Sequence, residues 1–490
     1  MNDVLQGAHL RHVLDALWPG RAWPELRSRL NLHLDSRRIV EGDVFIAIPG
    51  TRQDGRDYID AALASGAALV LAQAPCPSTD SRVVVSDDVK SRLGELAHQA
   101  FAVPESLAQI AVTGTNGKSS VTHYLAELSQ RLNHPAGLIG TLGCGRLGAL
   151  TDTGLTTPDA VGVQRSLRML ADQQCERVAM EASSHALDQG RLDGCHIRAA
   201  VFTNLTRDHL DYHGSMSAYA ASKARLFQRD ELEVAIVNAQ DPLARLMTAG
   251  VRPHVKVVSV GRDATCEFRI KRWQAESDGQ SAVIKTPEGE RTLTLALMGR
   301  FNLDNVLLAI ATLYSLGDSL DALWQAAATL TPVPGRMQRL KRAGCPVVVV
   351  DYAHTPDALE NALVALKAHV PGRLWCVVGC GGDRDRGKRP VMASIAEQHA
   401  DDIVITDDNP RSESPETIRA ELQAGLNDPA RALNIEGRRV AIETVITRAN
   451  ADDVILIAGK GHETYQEIAG VRHPFSDVEI ALQALERRDV

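Results

Sequence analysis

Cysteine is scarce, with eight residues in 490. That is too dilute for a disulfide scaffold. No CxxC pair occurs, and the nearest two, Cys376 and Cys380, flank Val377-Val378-Gly379. Buried thiols in a reducing compartment are expected rather than zinc or redox chemistry. Basic charge is not in excess either. Lys plus Arg number 53 against 61 for Asp plus Glu, a balance of −8, with no run of Lys or Arg. This argues against a nucleic-acid groove or a patch for anionic membranes. Long apolar runs are also missing. The longest nearly apolar stretch, from Ala61 to Ala74, is interrupted by Ser65, Gly66 and Gln73 and is too short to span a bilayer. The opening Met1-Asn2-Asp3-Val4 lacks the positive segment and apolar stretch of a secretion signal. The sequence therefore predicts a soluble cytoplasmic protein, with no nucleic-acid partner and no membrane insertion.

What is present is an ordinary globular composition, 44% hydrophobic and 23% charged. At roughly 150 residues per domain the length suggests about three domains. There is no short repeat, but one regularity recurs: a β-branched apolar run, a polar loop, then an amphipathic stretch. Gln109 to Val112 leads into Thr113-Gly114-Thr115-Asn116-Gly117-Lys118-Ser119, followed by Val121, Tyr124, Leu125, Leu128 and Leu132 at helical spacing. Further runs lie at 177–180, 200–202, 234–237, 347–350, 374–378, 403–405 and 454–457. Such runs read as buried parallel strands of an α/β protein. Residues 44–48, 56–65 and 68–71 read as strand, helix, strand. Pro104 and Pro332-Val333-Pro334-Gly335 punctuate the chain, which gives expected domains at 1–106, 107–334 and 335–490.

The loop from Gly114 to Ser119 has the chemistry of a phosphate cradle. Gly114 and Gly117 let backbone amides approach an anion, flanked by Thr115 and Asn116. Lys118 can reach terminal phosphates, and the Ser119 hydroxyl, followed by Ser120, can ligate Mg²⁺ at a helix start. The spacing is not the standard Walker one, because Val112 stands where its first glycine would be. Glu181 and His209 each follow a strand; near a triphosphate they suit a divalent ion, since Mg²⁺ bound to ATP takes one or two protein carboxylates. His209 and His213 read equally as helix-capping or solvent-facing residues. Four polar loops also follow strands in the last block, at 351–354, 379–384, 407–411 and 459–463. In open α/β sheets ligands bind beyond the carboxyl ends of strands, so these four predict one cleft.

Taken together, the segments 113–119, 181–185, 204–213, Ser222-Lys223-Ala224, Pro334-Gly335-Arg336, 351–354 and 459–463 resemble the Mur ligase superfamily. Leu34-Asp35-Ser36-Arg37, Thr156-Thr157, 379–384 and Asp408-Asn409-Pro410-Arg411 are similar, more narrowly, to its branch that adds meso-diaminopimelate to UDP-N-acetylmuramoyl-L-alanyl-D-glutamate. The resemblance implies an α/β protein of three domains: an N-terminal one for the UDP part, a central P-loop-type ATPase with a mostly parallel sheet, and a Rossmann-like C-terminal one. It implies ATP and Mg²⁺ as cofactors and a monomer acting in peptidoglycan precursor synthesis. By the same resemblance Ser119, Glu181, His209 and a carbamylated Lys223 are metal-associated, and Lys118 and Arg336 are catalytic. Asn302, Asn305, Arg336 and Asp351 would contact ATP. Leu34, Ser36, Thr51, Arg52, Gln53, Thr156, Thr157, Ser183, Gln189 and Arg191 would contact the UDP-linked substrate. Arg384, Asp408, Asn409, Pro410, Arg411, Gly459 and Glu463 would hold diaminopimelate. Thr51-Arg52-Gln53 and Leu155 depart from the side chains expected in the uridine and peptide segments. Two other readings share the phosphate loop. A folylpolyglutamate-synthetase-like ligase leaves the N-terminal block and 408–411 unexplained. A switch or transport ATPase would hydrolyse ATP without an amino acid.

Overall fold

The structure, a computed structural model, describes residues 4–51, 53–276 and 278–488. The chain forms two compact units, Met1–Val237 with Asp241–Val258, and Asn238–Gln240 with Ser259–Val490.

In the first unit, after the helix Gly7–Leu17, comes a four-stranded parallel sheet in the order Leu32–His33, Val44–Ala47, Leu69–Gln73, Val83–Ser86. The expected strand–helix–strand is there, with its helix split into a 3₁₀ turn, Gly55–Tyr58, and an α-helix, Ile59–Ala64. Asp54 caps that turn by accepting from Arg56 N at 3.0 Å. A larger sheet follows. Its strands within this unit run Val234–Asn238, Ile197–Phe202, Ala108–Thr113, Arg177–Glu181, Ala136–Gly140 and Gly143–Arg146. All neighbours are parallel except the last pair. Ala108–Thr113 lies between two partners and is buried at every residue. That explains why it reads as a continuous apolar run rather than an alternating one.

The helix Lys118–Arg131 departs from the amphipathic pattern its apolar spacing suggested. Every residue from Ser119 to Ser129 is buried. The helix packs on strands Ala108–Thr113, Ala136–Gly140 and Arg177–Glu181. Its polar side chains are accommodated locally, as where Thr122 Oγ1 donates to Lys118 O at 3.0 Å.

The second unit begins with an antiparallel meander, Phe268–Glu276, Gly279–Thr286 and Gly289–Leu295, then the helix Arg300–Ser315. Its main sheet has six strands in the order Gln338–Leu340, Val347–Asp351, Val454–Ala458, Leu374–Val378, Asp402–Ile405, Ala432–Asn434. Only the first pairing is antiparallel. Helices lie on both faces: Pro356–Lys367, Lys388–His399 and Pro415–Gln423 share one core, and Arg438–Arg448 and Asp477–Arg487 share another. All eight cysteines are free thiols, and seven are buried. No helix among the described residues is long and apolar enough to cross a membrane.

Candidate functional site

In the first unit the loop 114–117 is braced from behind by the residues that follow strand Ile197–Phe202. Thr203 Oγ1 donates to Asn116 O at 2.6 Å, and Asn204 Oδ1 accepts from Asn116 N at 2.9 Å. Thr115 N donates to Asn204 O at 2.8 Å, and the Thr115 hydroxyl lies 3.1 Å from the Tyr219 hydroxyl. Gly114 has φ +151°, and any side chain there would collide with Thr203 Oγ1. The loop is therefore braced by its own protein contacts, in keeping with a phosphate cradle at a helix N-terminus.

Two lysines converge on one carbonyl of this loop. Lys118 Nζ donates to Gly114 O at 2.9 Å and to Thr115 O at 2.8 Å. Lys223 Nζ donates to the same Gly114 O at 2.8 Å and sits 4.6 Å from the Tyr219 ring centre. Lys223 is only 1% exposed. Burial first, then the adjacent Lys118, hold its pKa well below the usual lysine value, against a smaller opposing pull from Asp208. A buried amine in that position favours its neutral, nucleophilic form.

Glu181 ends the neighbouring strand, in register with Val112. Its Oε1 accepts from Thr141 N at 2.8 Å and its Oε2 from the Thr141 hydroxyl at 3.2 Å. Gly140 makes room for this carboxylate, since a Cβ there would collide with it. Around it the expected substrate positions form one network. Thr156 Oγ1 is 3.1 Å from Thr141 Oγ1, and Thr157 Oγ1 donates to Glu181 O at 2.7 Å and to Ser183 Oγ at 3.2 Å. Arg191 donates to Thr157 O at 2.7 Å and to Gln189 Oε1, whose amide nitrogen donates to the Tyr212 hydroxyl at 3.1 Å.

His209, His185 and His213 cluster, with ring centres 4.8 Å (185–209) and 5.6 Å (185–213) apart. Desolvation lowers all three pKa values, that of His185 to about 4. His209 has φ +52° and precedes the short helix Leu210–His213, so the helix-capping position is where it stands. Its Nε2 lies 3.3 Å from Asp208 Oδ2. Among the described residues no three His, Cys, Asp or Glu side chains are grouped as a ready-made metal cage. Leu34 is half-buried against the core, and Ser36 opens a 3₁₀ turn capped by Asp35. Thr51 is exposed, and Gln53 O accepts from Gly50 N at 3.0 Å. Arg52 lies outside the described residues.

In the second unit Asn302 and Asn305 are buried in the first two turns of helix Arg300–Ser315, and Asn302 Nδ2 donates to Met298 O at 2.8 Å. Asp351 Oδ2 accepts from Met337 N at 2.6 Å. Burial raises its pKa, partly offset by Arg336. The Arg336 guanidinium lies 4.4 Å from the Tyr352 ring centre.

The four loops of the last block do share one sheet edge, because Val347–Asp351, Val454–Ala458, Leu374–Val378 and Asp402–Ile405 are successive parallel neighbours. They also bond to one another. Asn409 Nδ2 donates to Glu463 Oε2 at 2.8 Å, and Arg411 Nη1 donates to Gly382 O at 2.7 Å. A side chain at Gly459, where φ is +115°, would press on Asp408 Oδ2. The acids flanking Arg411 in sequence, Asp407 and Glu413, are taken by other arginines. Arg419 takes Asp407, and the buried Arg389 takes Glu413 at 2.8 Å. Arg384 stands apart, its only bond among the described residues being to Asp383 O at 3.5 Å.

Sequence reasoning missed the parts that hold these loops. The hairpin Tyr465–Ile468 and Val471–Pro474 grips Arg411, whose N donates to Glu467 O at 3.0 Å and whose O accepts from Ala469 N at 2.7 Å. Arg411 therefore sits at φ +50°, pinned on both sides. Arg389, Arg438 and Lys460 are fully buried cations. Nothing in their local sequence marks that burial, except the glycines on either side of Lys460.

Comparison with known proteins adds the family. Residues 31–104 match a model described as Mur ligase family, catalytic domain; 112–313 match Mur ligase middle domain; and 335–461 match Mur ligase, glutamate ligase domain. A UDP-N-acetylmuramoyl-L-alanyl-D-glutamate–2,6-diaminopimelate ligase of Ectopseudomonas mendocina is 47% identical over 93% of this chain and 94% of its own. The enzyme of that name from Pseudomonas aeruginosa is 46% identical over 94% and 95%. A solved structure of a ligase of that name is 39% identical, covers 98% of each chain and superposes with a TM-score of 0.71. With relatives this similar along nearly its whole length, the chain belongs to the Mur ligase family.

Proposed function

We propose that this chain is the ATP-dependent ligase that joins meso-2,6-diaminopimelate to UDP-N-acetylmuramoyl-L-alanyl-D-glutamate in peptidoglycan precursor synthesis, acting in the cytoplasm as a monomer. The observation that carries the reading is 47% identity over 93% of the chain to a relative of that name. The braced phosphate loop and the four interbonded loops at one sheet edge give it a physical basis. Its organisation is read as residues 1–106 for the UDP part, 107–334 for ATP and 335–490 for the amino acid. The three family models, which begin at 31, 112 and 335, support that division.

The chemistry follows from an unreactive carboxylate. The side-chain carboxylate of D-glutamate attacks the γ-phosphorus of ATP, ADP departs, and an acyl phosphate forms. An amine of diaminopimelate attacks that carbonyl and phosphate leaves, so ATP, acid and amine become amide, ADP and phosphate. Several anions must meet, and fixed positive charge offsets their repulsion. In this reading Lys118 would turn from the Gly114 and Thr115 carbonyls onto the terminal phosphates, and the family resemblance makes Arg336 a second cation. Thr156, Thr157, Ser183, Gln189 and Arg191 would orient the muramoyl peptide through the network that includes Glu181. Asp408 to Arg411, Gly459 and Glu463 would hold the amino acid, with Arg411 on its distal carboxylate.

The donors around the loop suit Mg²⁺. The Ser119 hydroxyl and the Glu181 carboxylate, set beside the loop by strand register, are hard oxygen ligands, with His209 as a further candidate. Bound there, the ion would screen the phosphate charge. Lys223 adds CO₂ in this reading, R–NH₂ + CO₂ → R–NHCOO⁻ + H⁺, which needs the neutral amine its burial favours. The carbamate would replace that neutral amine beside Lys118 with an anion able to ligate or orient the metal.

The test is phosphate release from ATP by the purified protein, with the UDP-dipeptide and diaminopimelate supplied singly and together. Release that needs both supports a ligase. Brisk release with neither would make the protein an ATPase of another kind.

A further inference from the structure

Lys460 belongs to the Gly459–Glu463 loop but has no assigned role. Both flanking glycines adopt positive φ, +115° at Gly459 and +53° at Gly461, and the side chain between them is fully buried. An ammonium withdrawn from water is costly unless its protons are bonded and its charge is paired. Lys460 Nζ pairs its charge with Glu463 and bonds two of its three protons, both through residues of the amino-acid site. It donates to Asn409 Oδ1 at 2.9 Å and to Glu463 Oε2 at 2.8 Å.

These bonds fix more than distance. Asn409 Oδ1 also accepts from Glu467 N at 3.0 Å, while Asn409 Nδ2 donates to Glu463 Oε2 at 2.8 Å. A flipped carboxamide would set its NH₂ against the Lys460 ammonium and the Glu467 amide, so only one orientation is allowed. On Glu463 both bonds fall on Oε2, which leaves Oε1 with lone pairs to offer a ligand. We infer that Lys460 is the positioning residue of the amino-acid site, locking Asn409 and Glu463 so that their remaining polar atoms face the diamino acid in one geometry. The inference rests on the ligase reading above. Lys460 does not touch substrate; it acts through the two residues that do.

Groups that orient a metal ligand from behind change affinity or activity by about 10- to 100-fold when removed, and a residue that orients two binding side chains is expected to act on a similar scale. Lys460→Met should therefore raise the KM for diaminopimelate about tenfold or more. The KM values for ATP and the UDP-dipeptide should stay within about twofold, because neither is held by Asn409 or Glu463. Combined with Glu463→Gln, which removes the partner, Lys460→Met should add much less than it does alone. Lys460→Gln, which keeps a donor without the charge, should fall between wild type and Lys460→Met. An unchanged KM for diaminopimelate in either single variant overturns the inference. So does a loss of turnover and melting temperature with no KM split, or failure of both variants to fold, since each would make Lys460 purely structural. Wild-type protein assayed in parallel separates the two proposals: if it shows no diaminopimelate-dependent phosphate release, the ligase reading itself has failed.

Discussion

Asp477→Asn removes the negative half of a bidentate pair in which both side chains are fully out of contact with water. Arg438 Nε and Nη2 each meet an Asp477 carboxylate oxygen at 2.7 Å. Both residues open helices, Arg438–Arg448 and Asp477–Arg487. The carboxylate suits a helix N-terminus; the guanidinium does not, which raises the cost of leaving it unpaired. Breaking a buried pair by removing one partner costs about 3–5 kcal/mol. For a body of 150–250 residues each kcal/mol lowers the melting temperature by about 2–4 °C, so a fall of roughly 6–20 °C is expected. The effect should reach the site as well. Arg438 Nη2 donates to Ala458 O at 2.9 Å and Nη1 to Asp407 O at 3.4 Å, the carbonyls just before Gly459 and Asp408. The assay is calorimetry together with the KM for diaminopimelate. A second variant, Arg438→Met with Asp477→Leu, removes both charges and should regain most of the lost stability. A melting temperature within about 2 °C of wild type for Asp477→Asn, or a double variant no better than the single, would refute the argument.

Other perturbations read other parts of the account. Lys118→Ala should keep the fold and lose at least about 10²-fold in turnover, as expected when a charge on a transferring phosphoryl group is removed; near-normal turnover would show that the loop does not serve phosphate. Lys223→Ala should be inactive and partly restored by a short carboxylic acid, whereas full activity without rescue would exclude a functional carbamate. Arg411→Ala should raise the KM for diaminopimelate and narrow the preference over L-lysine, a discrimination worth up to about 10⁴-fold when a site is built to pair the missing group; wild-type discrimination would remove Arg411 from that role. The hydrogen bond from Arg389 holds Glu413 down to about 2, below its usual 4.5. The stability this pair supplies is therefore complete above pH 4.5 and lost as pH falls toward 2. Glu413→Gln should flatten acid unfolding across that window, and an unchanged acid limb would count against the pair.

The parallel strands were legible because strands buried on both faces leave unbroken apolar runs, as at 108–113 and 454–458. The loops were legible because their chemistry, Gly-Lys-Ser or Asp-Asn-Pro-Arg, is local in sequence. Other features were not. The helix after the phosphate loop is buried on nearly all sides because it packs on three strands at once, and its serines and threonines gave no sign of that. The meander 268–295 has turn signals in Asp278-Gly279 and Glu288-Gly289, but charge interrupts its alternation, so its strands do not stand out as the buried parallel ones do. The supports of the proposed amino-acid site are invisible locally for a physical reason: Arg389, Arg438 and Lys460 look like surface cations until partners far off in sequence, such as Glu421, Asp477 and Asn409, are folded against them. Arg411 shows the same limit, because its left-handed backbone is set by a hairpin more than fifty residues away.

The most direct measurement is mass spectrometry of the nucleotide product formed from ATP, the UDP-dipeptide and an equimolar mixture of meso-diaminopimelate and L-lysine. The account predicts one new species, the UDP-dipeptide extended by diaminopimelate through an amide, appearing in step with ADP and phosphate. A lysine adduct in comparable amount would contradict the specificity assigned to the Asp408–Arg411 loop, and ADP formation with no adduct at all would contradict the ligase.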